Sequence, residues 1–142
     1  MIALGSDHGG YEYKEMLKKH LSDRGIEYRD FGTSSSESCD YPDYAKPVCE
    51  AVLSGECASG ILICGTGIGM SITANRYTGI RAAVCTEAFS AKATREHNDA
   101  NVLCMGARVI SPEKCIELAD IFLDTPFSND ERHIRRISKI EH

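Results

Sequence analysis

At 142 residues, 42% of them apolar and 26% charged, the chain has the size and composition of one globular domain able to bury a core without disulfides or a structural metal. A net charge of -5 argues against a general nucleic-acid binder, because affinity for a phosphate backbone rests on a surplus of Lys and Arg. The start, MIALGSDHGG, has no cationic stretch leading into a long apolar one, and no apolar run approaches the roughly 20 residues that span a bilayer, so a cytoplasmic protein without membrane contact is expected.

Met1 to Leu4 reads as a short strand, and Tyr13, Met16, Leu17, His20 and Leu21 then recur at helical spacing until Gly25. Ile26 to Phe31 is a second strand, followed by the polar loop GTSSSESCD. Pro42 suits a first helical turn, and Ala45, Val48, Cys49, Val52 and Leu53 form the apolar stripe of the next helix, which Gly55 stops. Ile61 to Cys64 is a third strand, and the glycines after it lead into a helix from about Ile68 to Arg76. Ile80 to Cys85 is a fourth strand, Glu87 to about Glu96 a helix, and Asn101 to Met105 a fifth strand. Beyond Pro112, Cys115, Leu118, Ala119, Phe122 and Leu123 repeat the stripe, and Asp130 to Ile140 reads as a last, charged helix.

Short apolar strands alternating with amphipathic helices predict a single α/β domain over residues 1–142, a five-stranded parallel sheet covered on both faces. In such folds ligands bind beyond the carboxyl ends of the strands, which is where SDHGG, GTSSSESCDY and CGTGIG fall. The seven cysteines (39, 49, 57, 64, 85, 104 and 115) make no tight CxxC pair and mostly lie in apolar periodic segments. They are expected as reduced thiols, and no metal site is expected.

Gly65, Gly67 and Gly69 do not complete a dinucleotide fingerprint, because Met70 stands where its third small residue belongs. No GK[ST] follows, which excludes a Walker loop, and Met70 also replaces the arginine that a cysteine-phosphatase cradle requires. What remains is physical. Closely spaced glycines before a helix expose N–H groups that favour an anion or developing oxyanion, and the same field favours a thiolate at Cys64. Asp7 and His8 reach the same sheet edge, with Asp7 also suited to capping a helix. His97 and Asn98 lie between the fourth helix and the fifth strand. Arg132 and Arg136, four apart, suit a clasp on phosphate that Arg108 could join. Against these functional readings stand bland ones: a buried small thiol, a helix cap, a histidine on a helix dipole and solvated arginines.

Together, and in this order, GSDHGG, DYPDYA, ILICGTGIGMSITANR, GIRAAVC, REHNDANVLCMGARV and RHIRRI resemble the type B ribose-5-phosphate isomerases across nearly the whole chain. The resemblance implies a Rossmann-like three-layer α/β/α sandwich, working without metal or cofactor. It also implies homodimers or dimers of dimers with composite sites at the subunit interface. The implied reaction interconverts D-ribose 5-phosphate and D-ribulose 5-phosphate through a cis-enediolate in the pentose phosphate pathway.

By the same resemblance Cys64 is the base, with Thr66 helping to place it, and His97 opens the furanose ring. Asp7, His8, Tyr41, Asn98, Arg108, Arg132 and Arg136 bind the sugar phosphate, while Gly65, Gly67, Ile68 and Gly69 hold the enediolate oxygens. The allose-6-phosphate and galactose-6-phosphate isomerases share the fold and stand as alternatives, although DHGG, Cys64 and REHNDAN resemble the ribose enzyme more. A sugar-phosphate or nucleotide sensor without catalysis is the alternative of another class.

Overall fold

The computed structural model describes residues 1–141. Five strands, β1 (Ile2–Ser6), β2 (Tyr28–Asp30), β3 (Ser59–Cys64), β4 (Ala82–Val84) and β5 (Val102–Gly106), form one sheet in the order β2-β1-β3-β5-β4, with every pairing parallel. Six helices cover it: α1 (Tyr11–Asp23), α2 (Pro42–Leu53), α3 (Ile68–Ala74), α4 (Ala88–Asn98), α5 (Pro112–Asp124) and α6 (Glu131–Ile140). The α/β/α sandwich expected from the sequence is present.

Alternation along the central strands sorts the core into two layers. Ile2, Leu4, Ile61, Ile63, Leu103 and Met105 face one way and meet Leu17 and Leu21 of α1, Ala91 of α4, and Leu118 and Phe122 of α5. Ala3, Leu62, Val102 and Cys104 face the other way, onto Val48 and Cys49 of α2 and Met70 and Ala74 of α3. Because β1, β3 and β5 are covered on both faces they are apolar along most of their length, which is what made them legible. The expected second and fourth strands shrink to three residues each, since an edge strand has a ladder on one side only.

All seven cysteines are free. Burial pushes the thiols of Cys49 and Cys85 up to about 11 and that of Cys115 up to about 12, so these three are inert core residues. Lys14 is the exception to an apolar α1 face. It is 1% exposed and its Nζ lies 2.7 Å from Oδ2 of Asp30 at the end of β2. Among the described residues no helix is long and apolar enough to cross a membrane.

Candidate active site

The chain leaves β1 on one side for β2 and crosses back to pair β3 on the other, so a crevice opens beyond the carboxyl ends of β1 and β3. Cys64, the last residue of β3, sits at its floor and is 5% exposed. The chain then turns sharply. Gly67 has φ 79°, and a Cβ there would stand 2.9 Å from the carbonyl carbon of Met105, so only glycine fits. That turn aims the Gly67 N–H at Sγ of Cys64 across 3.1 Å, a bond that a thiolate accepts more strongly than a thiol.

The loop is pinned from both sides. Ala107 and Arg108 donate their N–H groups to the carbonyls of Cys64 and Gly65, each at 2.9 Å, and the Arg108 side chain lies over Gly65. Thr66 Oγ1 accepts the Ile68 N–H at 3.2 Å, which closes the turn into α3. Two N–H groups of the glycine stretch are therefore used on Cys64 and Thr66 themselves.

From β1, Asp7 donates its N–H to the carbonyl of Ile63, and its Oδ1 accepts the N–H groups of Gly9 at 2.9 Å and Gly10 at 3.2 Å. The capping reading of Asp7 holds, and Asp7 lines the crevice as well. His8 follows on the short 3-10 turn, and its Nδ1 accepts the Cys39 N–H at 3.2 Å. The ring of Tyr41, just before α2, lies so close to Gly69 that a Cβ at Gly69 would come within 2.7 Å of it. Asp7, Tyr41, Cys64, Thr66, Ile68 and Ile72 wall a cavity of ≈ 430 Å³.

The remaining expected residues are elsewhere. The 11 residues of α4 return from the carboxyl edge of the sheet over about 16 Å, so His97 and Asn98 emerge at the opposite edge. His97 is exposed on one side and stacks on His133 of α6 with ring centroids 4.4 Å apart. Burial, then the neighbouring His97, holds the His133 imidazole below the ordinary histidine value. Arg132 and Arg136 are exposed on the same helix, Arg132 with its Nε 3.2 Å from Oδ1 of Asp130. Asn98 borders a larger hollow of ≈ 570 Å³ with Arg81, Tyr77, Ile140 and Glu141.

One chain thus brings together Asp7, His8, Tyr41, Cys64, Gly65, Thr66, Gly67, Ile68, Gly69 and Arg108, and separately His97, Asn98, Arg132 and Arg136. Sequence reasoning passed over two residues of the second group. Arg81 donates from Nε to the Asn98 carbonyl at 2.9 Å, from one terminal nitrogen to the Asp99 carbonyl at 2.8 Å, and from the other to Glu141 at 3.0 Å. It thereby braces the segment that carries His97. Its only signal was its place in GIRAAVC, as that of His133 was its place in RHIRRI.

Comparison with known proteins matches residues 2–140 to the family described as Ribose/Galactose Isomerase. The chain is 48% identical over 139 residues to the ribose-5-phosphate isomerase B of Escherichia coli (strain K12), covering 98% of this chain and 93% of that one. Among solved structures, the ribose 5-phosphate isomerase of Thermotoga maritima superposes with a TM-score of 0.96 at 53% identity, over 99% of this chain and 96% of that chain. Ribose-5-phosphate isomerase B of Clostridium thermocellum gives 0.96 at 51% identity, over 99% and 94%.

Proposed function

The chain belongs to the ribose/galactose isomerase family, and from that premise we propose that it interconverts D-ribose 5-phosphate and D-ribulose 5-phosphate, with Cys64 as the base. The observation that carries this reading is the Gly67 N–H directed at Sγ of Cys64 across 3.1 Å, at the floor of a cavity edged by Asp7. In the open-chain aldose the Cys64 thiolate takes the C2 proton. The C–H electron pair moves into the C1–C2 bond and the carbonyl pair onto O1, giving a cis-enediolate; the O2 hydroxyl proton passes to O1, and the proton held on Cys64 returns at C1 as the C2–O2 bond becomes the ketone. Backbone N–H groups around Gly65 to Gly69 stabilise the oxygen charge where it develops.

Ring opening and phosphate binding draw on His97, Asn98, Arg132 and Arg136, which in one chain lie at the wrong edge of the sheet. The complete site is therefore assigned to a homodimer in which these four, from a second copy, close the Cys64 cavity of the first. Ile68 and Ile72, 54% and 60% exposed at the cavity rim, and Tyr41, 40% exposed, supply the apolar surface such a contact covers.

The test is an NMR time course of purified protein in deuterated solvent with ribose 5-phosphate and, separately, allose 6-phosphate, each with a chelator present. Ribulose 5-phosphate carrying solvent deuterium at C1, formed by the wild type and lost in Cys64→Ala, is expected. No turnover of either sugar by folded protein would overturn the isomerase reading, and undiminished exchange in Cys64→Ala would overturn the base.

A further inference from the structure

We propose that the backbone N–H of Cys39 fixes the tautomer of His8, so that His8 meets a sugar phosphate as an Nε2–H donor and takes no part as the ring-opening base. A peptide N–H can point at an imidazole nitrogen only where that nitrogen carries a lone pair. The Cys39 N–H lies 3.2 Å from Nδ1 of His8, and the Cys39 sulfur is 4.0 Å from the same atom. Turning the ring over would set a C–H against the peptide N–H, so the unprotonated nitrogen is Nδ1 and the ring proton sits on Nε2.

The peptide that does this is held in place at both ends of its loop. At the start, Asp30 Oδ1 accepts the Gly32 N–H at 2.8 Å, while its Oδ2 is bound by Lys14 at 2.7 Å and Lys18 at 2.9 Å. The Gly32 carbonyl accepts the Ser6 N–H, and Thr33 donates to the Ser6 carbonyl, each at 2.8 Å. At the far end the Tyr41 ring packs on Gly69. The loop after β2 is thus laced to the end of β1, one residue before Asp7 and two before His8, and its peptide group is presented to His8 as a fixed donor. With Nδ1 occupied, the nitrogen left for a ligand is Nε2, which already carries a proton and cannot take another from a sugar hydroxyl without breaking the Cys39 bond.

The tautomer stands on geometry alone; only the identity of what Nε2–H meets rests on the sugar-phosphate reading of the Cys64 cavity. Long-range proton–nitrogen NMR of protein labelled at histidine nitrogens, assigned with His8→Gln, reads it directly. Wild type and Cys39→Ala, which keeps the peptide N–H, are expected to show the neutral form of His8 protonated at Nε2 and bare at Nδ1. Cys39→Pro, which removes that N–H, is expected to show a mixture. A neutral wild-type His8 whose single ring proton sits on Nδ1 would overturn the proposal whether or not Cys39→Pro folds.

For the role, KM and kcat are compared in His8→Ala and His8→Gln with ribose 5-phosphate. A rise in KM of about tenfold in the alanine variant, largely recovered by glutamine, is expected of a lost donor. Equal loss of kcat in both variants would instead make His8 a base and overturn the role. Absence of turnover in the wild type would sink the sugar-phosphate reading and leave the tautomer to be judged by the nitrogen spectra.

Discussion

The imidazoles of His97 and His133 lie face to face, 4.4 Å between centroids and 21° from parallel, where α4 meets α6. Since burial and His97 hold His133 below the ordinary value, the folded chain resists protonating it while the unfolded chain does not. Between the depressed folded value and the unfolded value of about 6.5, the unfolded state binds more protons, so stability falls as pH falls through that window. In His133→Phe, which keeps a stacked ring without the titration, the drop in Tm between about pH 7.5 and 5.5 is expected to be smaller than in wild type. Equal drops by scanning calorimetry would remove His133 as the cause.

If the site is shared between two copies, Cys64→Ala and His97→Ala should each be nearly inactive yet complement one another. A mixed dimer has one doubly defective site and one intact one. Random reassortment makes half the dimers mixed, so denaturing and refolding the two together should restore about a quarter of wild-type activity. Recovery of nothing, from proteins that refold and dimerise, would place all the catalytic groups of a site in one chain.

Gly67→Ala should both weaken the fold and slow turnover. The left-handed backbone costs a residue with a Cβ about 1–2 kcal/mol, and the contact with the Met105 carbonyl carbon adds to it. Any relief moves the N–H that faces Cys64. Urea unfolding should register a loss of about 1–3 kcal/mol, and kcat should fall more than KM rises. Wild-type kcat in a destabilised variant would mean the bond to sulfur is not used.

Lys14→Met tests the buried charge under the β2 loop. Removing one partner of a fully buried pair costs about 3–5 kcal/mol, but Lys18 still reaches Asp30, so about 1–3 kcal/mol is expected. Burial raises the Asp30 carboxyl, but the bonds from Lys14, the Gly32 N–H and Lys18 outweigh it and hold Asp30 below the usual carboxylate value. The stabilisation Asp30 supplies is present above the unfolded value of about 3.9 and is lost as pH falls through the lower folded one. Lys14→Met should therefore flatten the acid loss of stability below about pH 4; an unchanged slope would assign that loss to other carboxylates.

The sheet was legible because β1, β3 and β5 are covered on both faces and read along most of their length as apolar runs, as in Ile61 to Cys64. The edge strands were overdrawn, since Ile26 and Phe31 are apolar for packing reasons that extend past the three paired residues of β2. Cys64 and its glycines were legible as a site because a thiol at a strand end before glycines has a local chemical meaning. The separation of His97 from Cys64 followed from α4 running back along the sheet, yet chain order gives no distances. Lys14 was hidden because a lysine on an apolar stripe looks like an interruption until Asp30 is seen opposite it. The Cys39 peptide was hidden because a backbone donor leaves no mark on residue type.

The sheet order also governs when the molecule can become whole. β5 fills the slot between β3 and β4, although β4 precedes it by some twenty residues. A chain emerging from the ribosome therefore carries β3 with one side bare and β4 with no neighbour until Val102 to Gly106 arrives. The half-sheet β2-β1-β3 can assemble early, but β4 must wait for its only partner, and the Cys64 turn waits too, because Met105, Ala107 and Arg108 are what it is pressed against. Assembly of the thiol's surroundings thus requires the chain through Arg108, and a chain cut short before residue 102 would display an unpaired strand edge to its neighbours.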